Sequence, residues 1–260
     1  MQTSKTIELN GQPIAGGKFP LICTPLVGRT VDKLMAELDV VLPKKPDVLE
    51  WRVDFFEPIG DSASVIAAAA AIKNKAGSLP LLFTRRSTIE GGEQIALTEA
   101  QVIALYQAVC ESKHIDLIDY EMANERTNIA QVRAAAVGNG IALVLSFHNF
   151  SSTPSLETLV AKFLLAEQLG ADVAKVAVMP RDMDDVLTLL TATREASKQL
   201  RIPLISMSMG PLGAITRLAG GVFGSALSFA VGAASSAPGQ VPIEDLQTVL
   251  GIVNASMGGK

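Results

Sequence analysis

The chain has only two cysteines in 260 residues, Cys23 and Cys110, far apart in apolar segments. That excludes a disulfide framework and reads as free buried thiols in a reducing compartment. Two histidines accompany them, too few ligands for a structural zinc site. Cations are not in excess. The 22 Lys and Arg face 26 Asp and Glu, a net charge of −4, which argues against nucleic acid as the main partner. No uninterrupted apolar run is long enough to cross a bilayer, and the opening Met-Gln-Thr-Ser-Lys-Thr-Ile-Glu has no apolar signal core. No membrane partner and a cytoplasmic location are expected. No Gly-x-Gly-x-x-Gly follows the first apolar run, which counts against an open dinucleotide-binding sheet. There is no composition break or low-complexity linker, so residues 1–260 are expected to form one domain.

What is present is a rhythm. Residues 5–16 read as a hairpin turning at Asn10-Gly11, a pair suited to a type I′ turn, and residues 1–17 form an extension that caps one end of the domain. Apolar strand candidates then centre near Ile22, Trp51, Leu82, Leu117, Val144, Lys175, Leu204 and Phe223. Helical patterns lie between and after them, over 30–42, 61–76, 98–110, 123–137, 155–169, 182–200, 211–219 and 242–254. Thr98-Glu99-Ala100-Gln101 is a capping-box pattern, and Gly138 and Gly170 stand where helices should end. Strand and helix alternate eight times. This predicts an α/β fold with a parallel sheet closed into an eight-stranded (β/α)8 TIM barrel, for which ~250 residues is typical.

In such a barrel alternate strand residues point inward, and chemistry sits at the C-terminal strand ends. Lys175 lies alone in the apolar run Ala171 to Pro180. A lysine there must be paired or neutral, and a desolvated amine is a usable nucleophile; the alternative is a buried stem whose head reaches a carboxylate. Glu50, Arg52 and Asp54 share the face opposite Leu49, Trp51 and Val53, so the charges should face the lumen. Each polar residue also has a plain structural reading. Glu50 with Arg52 suits an ion pair, His148 a hydrogen-bonded histidine, Arg85 or Arg86 a solvated charge, and Met207 and Met209 core packing. His114, where a helix ends and a strand begins, is read as structural. The functional reading is favoured by convergence, since a lysine, a histidine, carboxylates and arginines all fall at the same end of one barrel.

Several stretches together resemble one family. They are Glu50-Trp51-Arg52-Val53-Asp54; Phe83-Thr84-Arg85-Arg86 with Glu90-Gly91-Gly92-Glu93; Ser146-Phe147-His148-Asn149-Phe150; Ala174-Lys175-Val176-Ala177-Val178-Met179-Pro180; Ser206-Met207-Ser208-Met209-Gly210; Thr216-Arg217-Leu218-Ala219-Gly220; and Ser236-Ala237-Pro238-Gly239-Gln240. The chain resembles the type I 3-dehydroquinate dehydratases, Schiff-base-forming lyases of the shikimate pathway and so of aromatic amino acid biosynthesis. The resemblance implies a barrel that pairs as a homodimer and dehydrates 3-dehydroquinate to 3-dehydroshikimate with no metal and no organic cofactor. By the same resemblance Lys175 is the imine-forming lysine, His148 the general acid/base and Glu90 its orienting partner. Glu50, Arg52, Arg86, Met207, Arg217, Phe229, Ser236 and Gln240 take substrate-contacting positions. Pro25 departs from relatives that carry a polar serine there. Two other classes remain in view: a class I aldolase-type barrel, which would hold a sugar phosphate near Gly220 to Gly224, and a non-catalytic ligand-binding barrel.

Overall fold

The computed structural model describes residues 5–17 and 19–257. A small antiparallel hairpin of β1 (Glu8–Leu9) and β2 (Gln12–Pro13) comes first. Asn10 and Gly11 both have positive φ, 51° and 75°, as a type I′ turn requires. Eight strands follow: β3 (Leu21–Leu26), β4 (Val48–Arg52), β5 (Leu81–Thr84), β6 (Leu117–Glu121), β7 (Ala142–Asn149), β8 (Val173–Val178), β9 (Leu204–Ser208) and β10 (Leu227–Val231). They pair in parallel in chain order from β3 to β9, with β10 on the free side of β3. The ring closes between β9 and β10, where Leu204 bridges Ser225 and the Ala226 N–H donates to the Leu204 carbonyl at 2.8 Å. The two-residue strand β11 (Val241–Pro242) adds to β10.

Helices α1 (Val31–Val41), α2 (Ser62–Ala76), α3 (Glu99–Ser112), α4 (Arg126–Asn139), α5 (Leu156–Gln168), α6 (Met183–Gln199), α7 (Gly210–Phe223) and α8 (Ile243–Ser256) follow the strands in turn. Their starts are written in the sequence. Asp61 accepts from the Ala63 and Ser64 N–H groups, Ser155 from Thr158 and Asp182 from Asp185, and Thr98 with Gln101 forms the expected capping box. No helix among the described residues is long and apolar enough to cross a membrane.

Period-two alternation divides the apolar residues between two cores. Leu49, Trp51, Phe83, Ile118, Leu143 and Val176 pack outward against the helices. Val48, Leu82, Leu117, Val144, Val173 and Ile205 fill the lumen together with Ile7 and Ile14, so the hairpin closes the N-terminal end. Each strand is thus buried on both faces. Both cysteines are free and buried, Cys23 in the lumen.

Three even-numbered strands share a further device. Asp47, Asp116 and Asp172 stand immediately before β4, β6 and β8. Each carboxylate accepts the N–H of a neighbouring strand, from Ile22 at 3.0 Å, Leu81 at 2.8 Å and Leu143 at 2.8 Å. Lys73 also pairs with Asp116, and Arg133 with Asp172. These clips fix the relative height of adjacent strands, and with it the height of whatever side chain comes three residues later.

The last strand is not centred on Phe223 as expected. Phe223 ends α7, and the strand begins four residues later at Leu227. The glycines after Ala219 do not terminate the helix. A side chain at Gly221 would meet Pro20 at 2.8 Å, so that glycine lets α7 lie close against the chain entering β3. Helix α4 likewise runs through Gly138 and is capped by Gly140. The alternation of β4 stops at Arg52, because Val53–Phe55 form a 3-10 turn that brings the Asp54 carboxylate to the Arg52 guanidinium.

Candidate active site

The C-terminal ends of the strands surround a cleft of about 420 Å³, counting its open mouth, with Lys175 and His148 in its walls. Lys175, on β8, is 3% exposed. Its Nζ donates to Asp119 Oδ2 at 2.8 Å, lies 3.8 Å from Glu50 Oε1 and sits 4.7 Å from the centre of the Phe229 ring. Strands β4, β6, β8 and β10 supply these four residues, as expected when alternate barrel strands fill one layer of the lumen. Burying the ammonium is tolerable because it has an anion in hydrogen-bond contact.

Asp119 was not singled out in the sequence, yet it is the acid in hydrogen-bond contact with Lys175. It is fully buried. Its Oδ1 accepts from Arg86 Nη2 at 2.7 Å and from the Ser146 hydroxyl at 2.6 Å. Burial pushes its pKa up, but Arg86 and Lys175 outweigh burial and hold the carboxyl well below the usual carboxylate range. Its backbone is pinned as well, because the Tyr106 hydroxyl donates to the Asp119 carbonyl at 2.6 Å and accepts the Arg85 N–H at 3.2 Å. Tyr106 belongs to an edge-to-face chain of rings, Phe56, Trp51, Phe83, Tyr106 and Tyr120, with centres 5.4–5.6 Å apart, that ties β4, β5 and β6 to α3. The sequence signal was available, since Leu117-Ile118-Asp119-Tyr120-Glu121 alternates as Leu49-Glu50-Trp51-Arg52 does.

His148 ends β7. Its Nδ1 lies 2.8 Å from Glu90 Oε2, and the same oxygen accepts the His148 backbone N–H at 3.1 Å. Glu90 thus fixes both ring and main chain and leaves Nε2 free for chemistry. Burial, with Arg86 and Lys175 adding to it, pushes the His148 pKa well below 6.5. Burial, with Glu121 adding and Arg86 opposing, pushes Glu90 up to about 8. The pair is therefore uncharged near neutral pH. Glu90 sits on a 3-10 turn, Thr88–Glu90, that ends at Gly91. Gly91 has φ +85°, and a side chain there would lie 2.4 Å from the Phe150 ring, so only glycine lets this loop close against the residue after β7.

The arginines divide. Arg86 is spent on acids, Asp119, Glu121 at 3.1 Å and Glu90 at 3.6 Å, although it also lines the cleft. Arg85 points away, near Glu99 at 3.7 Å. Arg52 is held by Asp54 through both carboxylate oxygens, at 2.9 and 2.7 Å, and its Nη1 reaches the Ser236 carbonyl at 3.3 Å. Arg217, on α7, is 1% exposed and has no carboxylate partner among the described residues. Its Nη2 donates to the Pro238 carbonyl at 3.1 Å, its Nη1 lies 3.6 Å from Met207 Sδ, and its Nε has no hydrogen-bond partner. Burial alone lowers its pKa to about 10.

Ser236 and Gln240 close the mouth. Gln240 Oε1 accepts the Ser236 N–H at 3.1 Å, and Gln240 Nε2 lies 3.3 Å from the Ser236 hydroxyl. Gly239, at φ +76°, passes so close to Gly210 that a side chain would meet its carbonyl at 2.3 Å. Of the residues expected from the sequence, Glu50, Arg52, Arg86, Glu90, His148, Lys175, Met207, Phe229, Ser236 and Gln240 line the cleft, and Arg217 stands behind Met207. Pro25 is buried, pairs in register with Glu50 and does not line the cleft.

The chain is similar to known proteins along nearly its whole length. A 3-dehydroquinate dehydratase of Albidiferax ferrireducens is 77% identical over 258 residues, covering 99% of this chain and 98% of that protein. The crystal structure of 3-dehydroquinate dehydratase from Geobacillus kaustophilus superposes with a TM-score of 0.93 at 52% identity, covering 97% of this chain and 98% of that one. A type I enzyme from Clostridium difficile with covalently modified comenic acid superposes at 0.91 with 35% identity, covering 97% and 99%. The family model of type I 3-dehydroquinase matches residues 22–257, and the chain belongs to that family.

Proposed function

We infer that the chain is a lyase that dehydrates 3-dehydroquinate to 3-dehydroshikimate through a Schiff base on Lys175, a step of the shikimate pathway. The observation that carries this reading is an amine in the wall of a cleft beside an uncharged, carboxyl-held imidazole. A ketone holds its α-proton too tightly for easy removal. Condensation with the Lys175 amine expels water and leaves an iminium, a far better electron sink. His148 then takes the α-proton, and the electron pair moves toward nitrogen. The enamine expels the β-hydroxyl, which leaves as water with the proton His148 returns. Water finally hydrolyses the conjugated iminium and frees Lys175. Adding 3-dehydroquinate and recording the ultraviolet band of the conjugated product tests the reading. No such band from pure protein rejects it, and with it goes the distinction from an aldolase or a silent barrel.

Arg217 is the cation reserved for the substrate carboxylate. A planar guanidinium buried without an anion is costly unless a ligand supplies one. Arg217→Met should therefore raise KM by ~30-fold or more, the cost of losing one partner of a buried charge pair. Its melting temperature should hold or rise, because an unpaired buried charge is gone. An unchanged KM with a lower melting temperature would give Arg217 a purely structural place.

Residues 235–240 act as a lid. The segment has no large apolar side chain, and backbone carbonyls of Ser236 and Pro238 hold it to Arg52 and Arg217. Such segments open at low free-energy cost. When a carboxylate engages the two arginines, hydrogen exchange across 232–240 should slow, and Gln240→Ala should weaken binding and lower turnover by admitting water to the imine. Equal exchange with and without bound product identifies a fixed loop instead.

Pairing as a homodimer in the cytoplasm completes the reading. The exposed apolar side chains of Met183, Leu187, Leu212 and Ile215, on neighbouring helices α6 and α7, are surface such a pairing would cover.

A further inference from the structure

Imine formation that starts from an ammonium has a simple net balance, in which the nitrogen gives up one proton so that its lone pair can attack the carbonyl carbon. The ammonium and the ketone oxygen become an iminium N–H and one water, so two of the three nitrogen-bound protons leave with the oxygen. The positive charge stays on nitrogen. A buried anion facing Nζ therefore meets one positive charge before and after the covalent step, and one remaining N–H afterwards.

Asp119 is built for that duty. Among the described residues its Oδ2 is the one carboxylate oxygen within hydrogen-bond distance of Nζ, at 2.8 Å, and its other oxygen is held by Arg86 and Ser146 at 2.7 and 2.6 Å. The carboxylate cannot turn without breaking three charge-assisted contacts. Glu50 is the other acid near Nζ, but it stands off at 3.8 Å and already accepts from Thr84 at 3.0 Å. We propose that Asp119 is the resident counter-ion of Lys175 throughout the reaction, holding the ammonium at rest and then the single iminium N–H, so that the nitrogen stays protonated while it draws electrons from the substrate. Arg86 is accordingly a positioning residue that acts through Asp119. The assignment rests on the imine reading above. It also explains why the fold pins this residue from three sides, through Tyr106 on its carbonyl and Arg86 and Ser146 on its carboxylate.

The charged and titratable groups around Nζ are Glu50 on β4, Arg86 after β5, Asp119 on β6 and His148 on β7. Replacing Asp119 removes the anion in closest contact and leaves the others in place. The test is Asp119→Asn, read by the pH dependence of borohydride reduction of the imine formed with 3-dehydroshikimate. The midpoint for the reducible, protonated imine should move to lower pH by on the order of 1 unit or more, as expected when a contacting opposite charge is lost. Turnover should fall while the adduct still maps to Lys175. A folded variant with an unchanged midpoint overturns the proposal.

Should Asp119→Asn not fold, the wild-type protein decides. With its lysine nitrogens isotope-labelled and 3-dehydroshikimate bound, the imine nitrogen should carry its proton at and above neutral pH. An imine nitrogen without a proton at neutral pH overturns the counter-ion role. Absence of any imine in the wild type rejects the function reading instead, so the two failures are distinct.

Discussion

Lys175→Met should abolish turnover, by on the order of 10⁴–10⁶-fold in kcat, the scale on which deletion of a covalent nucleophile acts in other enzymes. No other lysine can substitute. Among the described residues, Lys175 is the one lysine in the cleft wall, and the strand that carries it is buried on both faces. Borohydride added with substrate should attach one ligand to the wild-type chain, in the peptide containing Ala174-Lys175-Val176, and none to the variant. Methionine is chosen over alanine because it nearly fills the space and spares the layer a cavity. Stability should still drop, since Asp119 loses one of its two cations, but Arg86 and Ser146 remain to hold it, so the loss should fall short of the ~3–5 kcal/mol of a fully unpaired buried charge. A variant that turns over normally, or an adduct on another lysine, rules out imine chemistry at this residue.

The barrel was readable because its two periods are kept apart cleanly. In strands such as Val48–Arg52 the outward residues are apolar while Glu50 and Arg52 point inward, and α1, α2, α3, α5 and α6 open on an Asp, Ser or Thr cap. The end of α7 was not readable for a physical reason. Gly220-Gly221 is a stop signal by propensity, yet at Gly221 the small residue serves helix packing against Pro20, and tertiary contact overrides the local preference. Asp54 shows the same limit on a smaller scale. The alternating pattern continues through it, but the backbone has left the strand, and the residue serves Arg52 rather than the lumen.

The site was legible where charge interrupts an apolar run, as at Lys175. Asp119 stands in a visible pattern, since Asp47-Val48-Leu49-Glu50, Asp116-Leu117-Ile118-Asp119 and Asp172-Val173-Ala174-Lys175 repeat one spacing on alternate strands. The first aspartate clips the neighbouring strand, and the residue three places on enters the same lumen layer. The partnership of Arg86 could not be read at all. Whether an arginine at a strand end meets substrate or an acid from two other elements is decided by three-dimensional neighbours that the linear pattern does not display.

His148→Ala separates proton transfer from covalent capture. The amine, Asp119 and the arginines remain, so the variant should still form the imine with substrate and accumulate it. Turnover should fall by at least ~10²–10⁴-fold, the usual worth of a positioned acid/base. Borohydride should then trap substrate-level adduct more completely than in the wild type, because the imine waits for a proton carrier that is gone. The pH dependence of the wild type carries a matching sign. Burial, Arg86 and Lys175 hold the imidazole well below its ordinary value of 6.5, and the charge on nitrogen persists as the iminium. The base is therefore ready at neutral pH, and the acid limb of kcat should lie below pH 6.5. Glu90→Gln should cost much less than His148→Ala. With Glu90 pushed up to about 8, the native carboxyl is already uncharged at neutral pH, and the amide keeps its shape and hydrogen-bonding reach. A loss in Glu90→Gln as large as in His148→Ala would mean that the carboxylate form orients the ring. Normal turnover in His148→Ala would mean that another group, such as Glu50 at 3.8 Å from Nζ, moves the proton.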